Sequence, residues 1–306
     1  MQKRSIGSLE VSVVGIGCNN FGVRSDAATT DAVVQSALDA GINFFDTADI
    51  YGATRSEVFL GKALGTRRGD VVIATKFGMP IDDDHFGAAP NYVRQACEDS
   101  LVRLGTDYID LYQLHVPDDT VPIADTLSAL GELVGAGKVR EIGCSNLTVA
   151  QLREAKAAAG EGPAFVSIQN QYSLLARDPE RDGVLDVCKE LGLGFLPFYP
   201  LANGLLTGKV RPGEPIPEGT RLAKMTPERG AHWLGDRLRT QVDALAHYAE
   251  EVDLPLLSLA FSWLLSHPQV SSVIAGASSA EQASANASAP RTLSAEQIAA
   301  LNRLTE

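Results

Sequence analysis

The chain is poor in the features that mark several protein classes. Its four cysteines, Cys18, Cys97, Cys144 and Cys188, stand far apart with no CxxC and no CxxH. That spacing excludes a zinc module and a disulfide framework and leaves small, reduced, buried thiols. The five histidines (His85, His115, His232, His247, His267) are scattered, none in an HExxH motif, so no metal site is expected. No apolar run reaches membrane-spanning length, and no membrane association is expected. Positive charge is in deficit: 26 Lys and Arg against 38 Asp and Glu leave a net charge of −12. Nucleic acid and anionic lipid surfaces would be repelled. The opening MQKRSIGSLEVS has basic residues with no apolar stretch behind them and does not read as a signal peptide. The expectation is a soluble cytoplasmic protein with a small-molecule partner, its oligomeric state left open. A dinucleotide fingerprint is missing too: GIGCNNFG, residues 15–22, has glycines at the wrong spacing for GxGxxG.

What the chain does have is a regular alternation. Its 306 residues are 45% apolar, enough for one large α/β barrel or two ordinary domains. Eight apolar runs end in something polar or in glycine: SVVGIG at Gly17, INFF at Asp46, VVIAT at Lys76, IDLYQL at His115, VREIG before Ser145 and Asn146, FVSI at Gln169, GFLPF at Tyr199 and SVIA at Gly276. Several are continuous rather than alternating, as strands covered on both faces are. Between them lie helical patterns, such as Val33, Val34, Ala37 and Leu38, or Val93, Cys97, Leu101 and Leu104. The strand ends recur at roughly 30 residues, one βα unit each. Eight such units favour a closed (β/α)8 TIM barrel, with residues 1–306 as a single domain, over an open doubly wound sheet. KRSIGSLEVS reads as an N-terminal β-hairpin that plugs the barrel bottom. LSAEQIAALNRL, residues 293–304, reads as an extra C-terminal helix outside it. The long segment 210–230, rich in Gly and Pro, reads as a lid over a site.

In a barrel the C-terminal strand ends converge on one rim. Asp46, Lys76, His115, Asn146 and Gln169 would then share one mouth, with Tyr51 one loop beyond Asp46. Taken singly each has an ordinary use: an Asp caps a turn, a Lys snorkels to the surface, a His sits in a loop. Their common position is the signal. A buried Lys76 needs a partner, and Asp46 on the next strand can supply it. A lysine about 4 Å from the Tyr51 phenol would favour the phenolate by roughly 4 kcal/mol at an effective dielectric near 20. Desolvation offsets part of that, so a net lowering of the Tyr51 pKa is expected. A tyrosine so tuned can give a proton to a developing alkoxide, with His115 holding the carbonyl oxygen. None of these groups is a hydride source, so a cofactor is required. Ser145, Asn146 and Gln169 suit a carboxamide, and Phe198 or Tyr199 could stack on a flat ring. A metal-dependent hydrolase would need clustered ligands at the strand ends, where only His115 qualifies.

The motifs DTADIYG, SEVFLGKAL, ATKFG, LYQLHVPD, GCSN, IQNQYSLLAR, PLANGLLTGK and VIAGASSAEQ, in this order over nearly the whole chain, resemble those of the aldo-keto reductases, bacterial members of about this size above all. The resemblance implies a (β/α)8 barrel that reduces aldehydes or ketones with NADPH/NADP+, NADH being the alternative. It implies Tyr51 as general acid, Lys76 and Asp46 as the pair that tunes it, and His115 as the group that orients the substrate. It assigns Ser145, Asn146 and Gln169 to the nicotinamide carboxamide, and Leu201, Asn203, Gly204 and Lys209 to the pyrophosphate. It assigns Gly276, Ser278, Gln282 and Asn286 to the adenosine end, with Gly17 and Asp46 also at the cofactor. FYPL stands where many members read YSPL, which leaves Phe198 or Tyr199 as the stacking ring. Gly276 and Gln282 stand where Lys and Arg are common, and Arg221 in the lid is the compensating cation. Phe21, Tyr51, Phe77 and His115 are the expected substrate contacts. The acidic run Asp82 to Asp84 is expected to be a solvated loop and weakly disfavours anionic substrates. A nucleotide-binding regulatory subunit, as in the resembling channel-associated β subunits, is the alternative to an enzyme.

Overall fold

The structure is a computed structural model. It describes residues 1–210, 214–218, 220–226, 233 and 235–306. The expected lid, 210–230, therefore lies partly outside the described residues. Eight parallel strands close the barrel: β3 (Val14–Gly17), β4 (Phe44–Asp46), β5 (Val72–Phe77), β6 (Ile109–Leu114), β7 (Val139–Ser145), β8 (Ser167–Gln171), β9 (Gly194–Phe198) and β10 (Val273–Gly276). Each pairs with its neighbour in chain order, and β10 returns beside β3. The last seam, between β9 and β10, closes through residues just before β10. Phe195 N–H donates to the Gln269 carbonyl at 2.7 Å, and Ser271 N–H donates to the Phe195 carbonyl at 3.0 Å. All eight expected strands are present, though β5 runs two residues past Thr75 and β8 starts and ends later than FVSI.

The continuous apolar runs follow from burial on both faces. Every residue of β5 and β6 is buried. Successive side chains still alternate. In β5, Ile73 and Phe77 pack outward under the helices, while Val72 and Ala74 point inward. The inward set, Phe44, Val72, Ala74, Leu111, Leu196 and Ile274, forms the middle layer of the barrel. It is capped from below by Ile6, Leu9 and Val11. These belong to the antiparallel hairpin β1 (Lys3–Ile6) and β2 (Leu9–Ser12), the expected plug.

On β4, β5 and β6 the next inward position is polar. Two residues beyond Phe44 stands Asp46; two beyond Ala74, Lys76; two beyond Leu111, Gln113. The barrel interior is therefore apolar up to one layer, and the last layer turns polar on these three strands and at Gln169 of β8, with Phe198 of β9 beside them. The C-terminal helix, Ala295–Thr305, starts at a capping box between Ser294 and Gln297. It docks outside the barrel, with Trp263 Nε1 donating to Asn302 Oδ1 at 2.9 Å. No helix among the described residues is long and apolar enough to cross a membrane.

Candidate active site

Lys76 is fully buried and anchors the polar layer. Its ammonium donates to Asp46 Oδ2 at 2.7 Å and to the Thr47 carbonyl at 2.8 Å. Asp46 Oδ1 accepts from Gln169 Nε2 at 2.8 Å and from Gln113 Nε2 at 3.2 Å. Strands β4, β5, β6 and β8 thus meet on one carboxylate. Burial works against the Lys76 charge, but Asp46 and then Tyr51 outweigh it and hold the pKa above the usual lysine range.

Tyr51 lies over this pair. The Lys76 Nζ stands 5.1 Å from its ring centroid, and the His115 ring meets it edge-on at 5.8 Å. The expected lowering of the Tyr51 pKa does not hold: burial raises it above the ordinary phenol range, and Lys76 only partly offsets this. The reason is geometric. The Lys76 charge is shared with Asp46 at 2.7 Å, and the Asp46 carboxylate itself works against a phenolate. His115 moves the other way. Burial, then Lys76, lowers its pKa to about 3, so the ring is neutral across the physiological range. Its Nδ1 is buried without a partner, which leaves Nε2 at the cavity.

Asn146 closes the rim beside them. It sits in the left-handed region, with φ at 63°, a conformation asparagine tolerates better than most residues. Its amide donates to the His115 carbonyl and to Ser145 Oγ, both at 3.0 Å. Ser145 Oγ in turn donates to the Gln169 carbonyl at 2.7 Å.

One cavity of about 890 Å³ opens above this floor. Tyr51, His115 and Asp46 reach its wall. So do Gly17, Ser145, Asn146, Gln169, Phe198, Tyr199, Leu201, Asn203 and Gly204, and further round Lys209, Arg221, Gly276, Ser278, Gln282 and Asn286. Lys76 stands behind the wall. Phe198 and Tyr199 both face the cavity, their rings edge-on at 5.3 Å.

Phe21 and Phe77, expected at the substrate, are not on that wall. Phe77 follows Lys76, so alternation turns it outward, where it packs on Tyr112 at 4.7 Å. Phe21 is fully buried in the core beneath a loop that folds back from Phe21 to Ser25. Asn19, Asn20, Arg24 and Met79 line the cavity instead. Gln113 was also missed; a lone amide in IDLYQLH, two residues before His115, was its signal.

The second acid of DTADIYG does something else. Asp49 is fully buried. Its backbone N–H donates to the Lys76 carbonyl at 3.1 Å, its Oδ1 accepts from Ile50 N–H at 2.6 Å, and its Oδ2 has no partner. Burial, then the nearby Glu57 carboxylate, raises its pKa to about 7. Glu57 itself is held by Arg103 and Thr75, each at 2.6 Å. An acid with a raised folded pKa binds more protons folded than unfolded, so stability falls as the pH climbs from the unfolded value to the folded one. Asp49 should cost stability between about pH 4 and pH 7, by up to about 4 kcal/mol above that window at about 1.4 kcal/mol per pKa step. Asp49→Asn removes the charge. Thermal unfolding at pH 5 and pH 8 should show a smaller loss on going to pH 8 in the variant than in the parent. Equal losses would contradict the assignment.

A sequence profile of the Aldo/keto reductase family matches residues 13–306. The chain is 37% identical over 289 residues to the uncharacterized oxidoreductase YrpG of Bacillus subtilis (strain 168), covering 90% of this chain and 86% of the relative. It is 34% identical over 299 residues to a probable voltage-gated potassium channel subunit beta of Arabidopsis thaliana, covering 94% and 90% of the two chains. Among solved structures, the aldo-keto reductase AKR11C1 from Bacillus halodurans (holo form) superposes with a TM-score of 0.83 at 34% identity, covering 100% of this chain and 97% of that one.

Proposed function

The chain belongs to the aldo/keto reductase family, and on that premise we propose that it reduces an aldehyde or ketone to the alcohol with NADPH, Tyr51 giving the proton. Membership makes it an NAD(P)H-dependent oxidoreductase; the cofactor preference, the acid and the substrate are the finer reading. One observation carries it: a phenol, an ammonium–carboxylate pair and a neutral imidazole meet at the floor of a single cavity, Lys76 5.1 Å and His115 5.8 Å from the Tyr51 ring.

The wall suits a nicotinamide. Asn146 and Gln169 spend their amide N–H groups within the protein. Their side-chain carbonyl oxygens are left without a donor among the described residues, which is what a carboxamide NH2 requires. Asn203 Oδ1, also on the wall, is buried and unspent. Lys209 supplies positive charge for the pyrophosphate that both cofactors share, and Arg221 supplies it for a further phosphate, the basis for NADPH over NADH.

A reduced nicotinamide, when bound, supplies the hydride. The remaining work falls to the chain. His115 donates from Nε2 to the carbonyl oxygen, because with Nδ1 unpartnered the Nε2–H tautomer leaves a bare acceptor buried rather than a bare donor. Charge growing on that oxygen is met by the Tyr51 hydroxyl, whose proton completes the alcohol. The Lys76 ammonium stabilises the phenolate left behind, and Asp46 keeps Lys76 charged and in place. The reading places the protein in the cytoplasm; its four buried free thiols suit a reducing compartment.

The similarity to plant channel β subunits supports a second reading: a subunit that binds the dinucleotide and turns over negligibly. A panel of aldehydes and ketones assayed at 340 nm with NADPH and with NADH separates the two. The enzyme reading predicts substrate-dependent loss of absorbance, faster with NADPH. Rates equal to the blank across the panel, with a stoichiometric protein partner recovered, would favour the subunit.

A further inference from the structure

We propose that Arg24 makes this site selective for carbonyl substrates that carry a carboxylate or phosphate group. The inference rests on the reductase reading of the same cavity and adds its substrate class.

Arg24 sits on the loop after β3. The loop is pinned by Arg24 N–H and Ser25 N–H, both donating to the Asn20 carbonyl, at 2.9 and 3.0 Å. It is pressed against the loop that carries Tyr51. A Cβ placed on Gly52 would fall 2.5 Å from the Phe21 carbonyl oxygen, and one on Gly22 would fall 2.8 Å from the Arg55 Cβ. The backbone of Arg24 is therefore registered to that of the acid. Its side chain reaches the same cavity wall as Tyr51 and His115.

That guanidinium has no hydrogen bond and no carboxylate partner among the described residues. Its charged neighbour is a like one. Arg221, from the segment above the cavity, donates to Tyr199 Oη at 3.0 Å and stacks on the Tyr199 ring at 4.8 Å. Burial and then the Arg221 charge push the Arg24 pKa down. Arg221 is read as a cation for the cofactor, which leaves Arg24 as the guanidinium on this wall with no carboxylate partner among the described residues, a place where an anion is missing. Carboxylates and phosphates are the anions whose geometry a guanidinium fork matches.

The anion belongs to the substrate because of where Arg24 stands. Most groups read as cofactor contacts come from β7 to β10 and the loops after them, and Arg221 and Tyr199 among them adjoin Arg24. Arg24 itself, like Met79 and His115, comes from the loops after β3, β5 and β6, on the side of the cavity that holds Tyr51 and His115. The acidic run that argued against anionic substrates does not oppose this. None of Asp82, Asp83 and Asp84 lines the cavity, and Asp82 is occupied by His85 Nδ1 at 2.6 Å.

The test compares 4-carboxybenzaldehyde with methyl 4-formylbenzoate, and glyceraldehyde 3-phosphate with glyceraldehyde, in the parent and in Arg24→Gln. The parent should favour at least one charged member by about 10-fold or more in kcat/KM, the scale of a charge-assisted contact. Arg24→Gln should collapse that ratio towards one, and Arg24→Lys should restore part of it. A second readout needs no turnover: binding of terephthalate to the NADP+-loaded protein, followed by calorimetry, should weaken by a similar factor in Arg24→Gln. If no aldehyde turns over but terephthalate binding depends on Arg24, the reductase reading fails and the anion site stands. A parent without charge preference in either pair overturns the proposal. So does an Arg24→Gln variant that keeps the preference and loses NADP+ affinity instead.

Discussion

Tyr51→Phe is expected to lower kcat for carbonyl reduction by about a hundred- to ten-thousandfold, the usual range for losing a positioned general acid. NADP+ binding and the fold should survive. The substitution removes one oxygen and keeps the ring, so the edge contact with His115 at 5.8 Å and the Lys76 charge 5.1 Å away retain their partner. Lys76 itself keeps Asp46 at 2.7 Å and the Thr47 carbonyl at 2.8 Å when the phenol oxygen is lost. His115 cannot take over the proton. With a pKa near 3 it is neutral, and giving up its remaining N–H proton would leave an imidazolate. Rates at 340 nm, set beside a fluorescence titration with NADP+, check the expectation. Full turnover in the variant would remove Tyr51 from the mechanism.

Asp46→Asn should damage both stability and activity. It leaves an ammonium with no counter-charge at a site of zero exposure, and breaking a buried pair by removing one partner costs about 3–5 kcal/mol. The new amide also sets an NH2 where Gln113 and Gln169 now donate, so donors face donors unless the three amides turn. Urea unfolding should show the loss. The double variant Asp46→Asn, Lys76→Met should recover much of the stability, because no charge is then buried, yet stay inactive. If the single variant is as stable as the parent, the ammonium has another partner and the account of the floor is wrong.

The strands were legible because a barrel strand is covered on both faces, and VVIATKF or IDLYQL has no polar face to confuse with a surface strand. Asp46, Lys76 and His115 were legible for a related reason: an ionisable residue closing such a run has nowhere to go but the mouth. The orientation of Phe77 was also available. Lys76 points in, so its neighbour points out, and the same rule would have found Gln113. Phe21 was not readable, because its burial depends on two loops meeting at Gly22 and Gly52, a contact between distant parts of the chain. Arg24 was hidden for the same reason. The Tyr51 pKa runs against the expectation first because burial of the phenol outweighs the pull of Lys76, and then because Asp46 opposes a phenolate. The charge that matters is that of Lys76 with Asp46 attached, inside a layer that excludes water.

The account rests on Tyr51 managing one proton, and the pH dependence of carbonyl reduction reads that directly. With its pKa raised above the ordinary phenol range, kcat/KM should stay level through neutral and mildly alkaline pH and fall only as the phenol ionises. His115, near pKa 3, should leave no inflection between pH 5 and 8. In Tyr51→Phe the residual rate should lose the alkaline fall. An alkaline limb that persists unchanged in the variant would show that another group gives the proton.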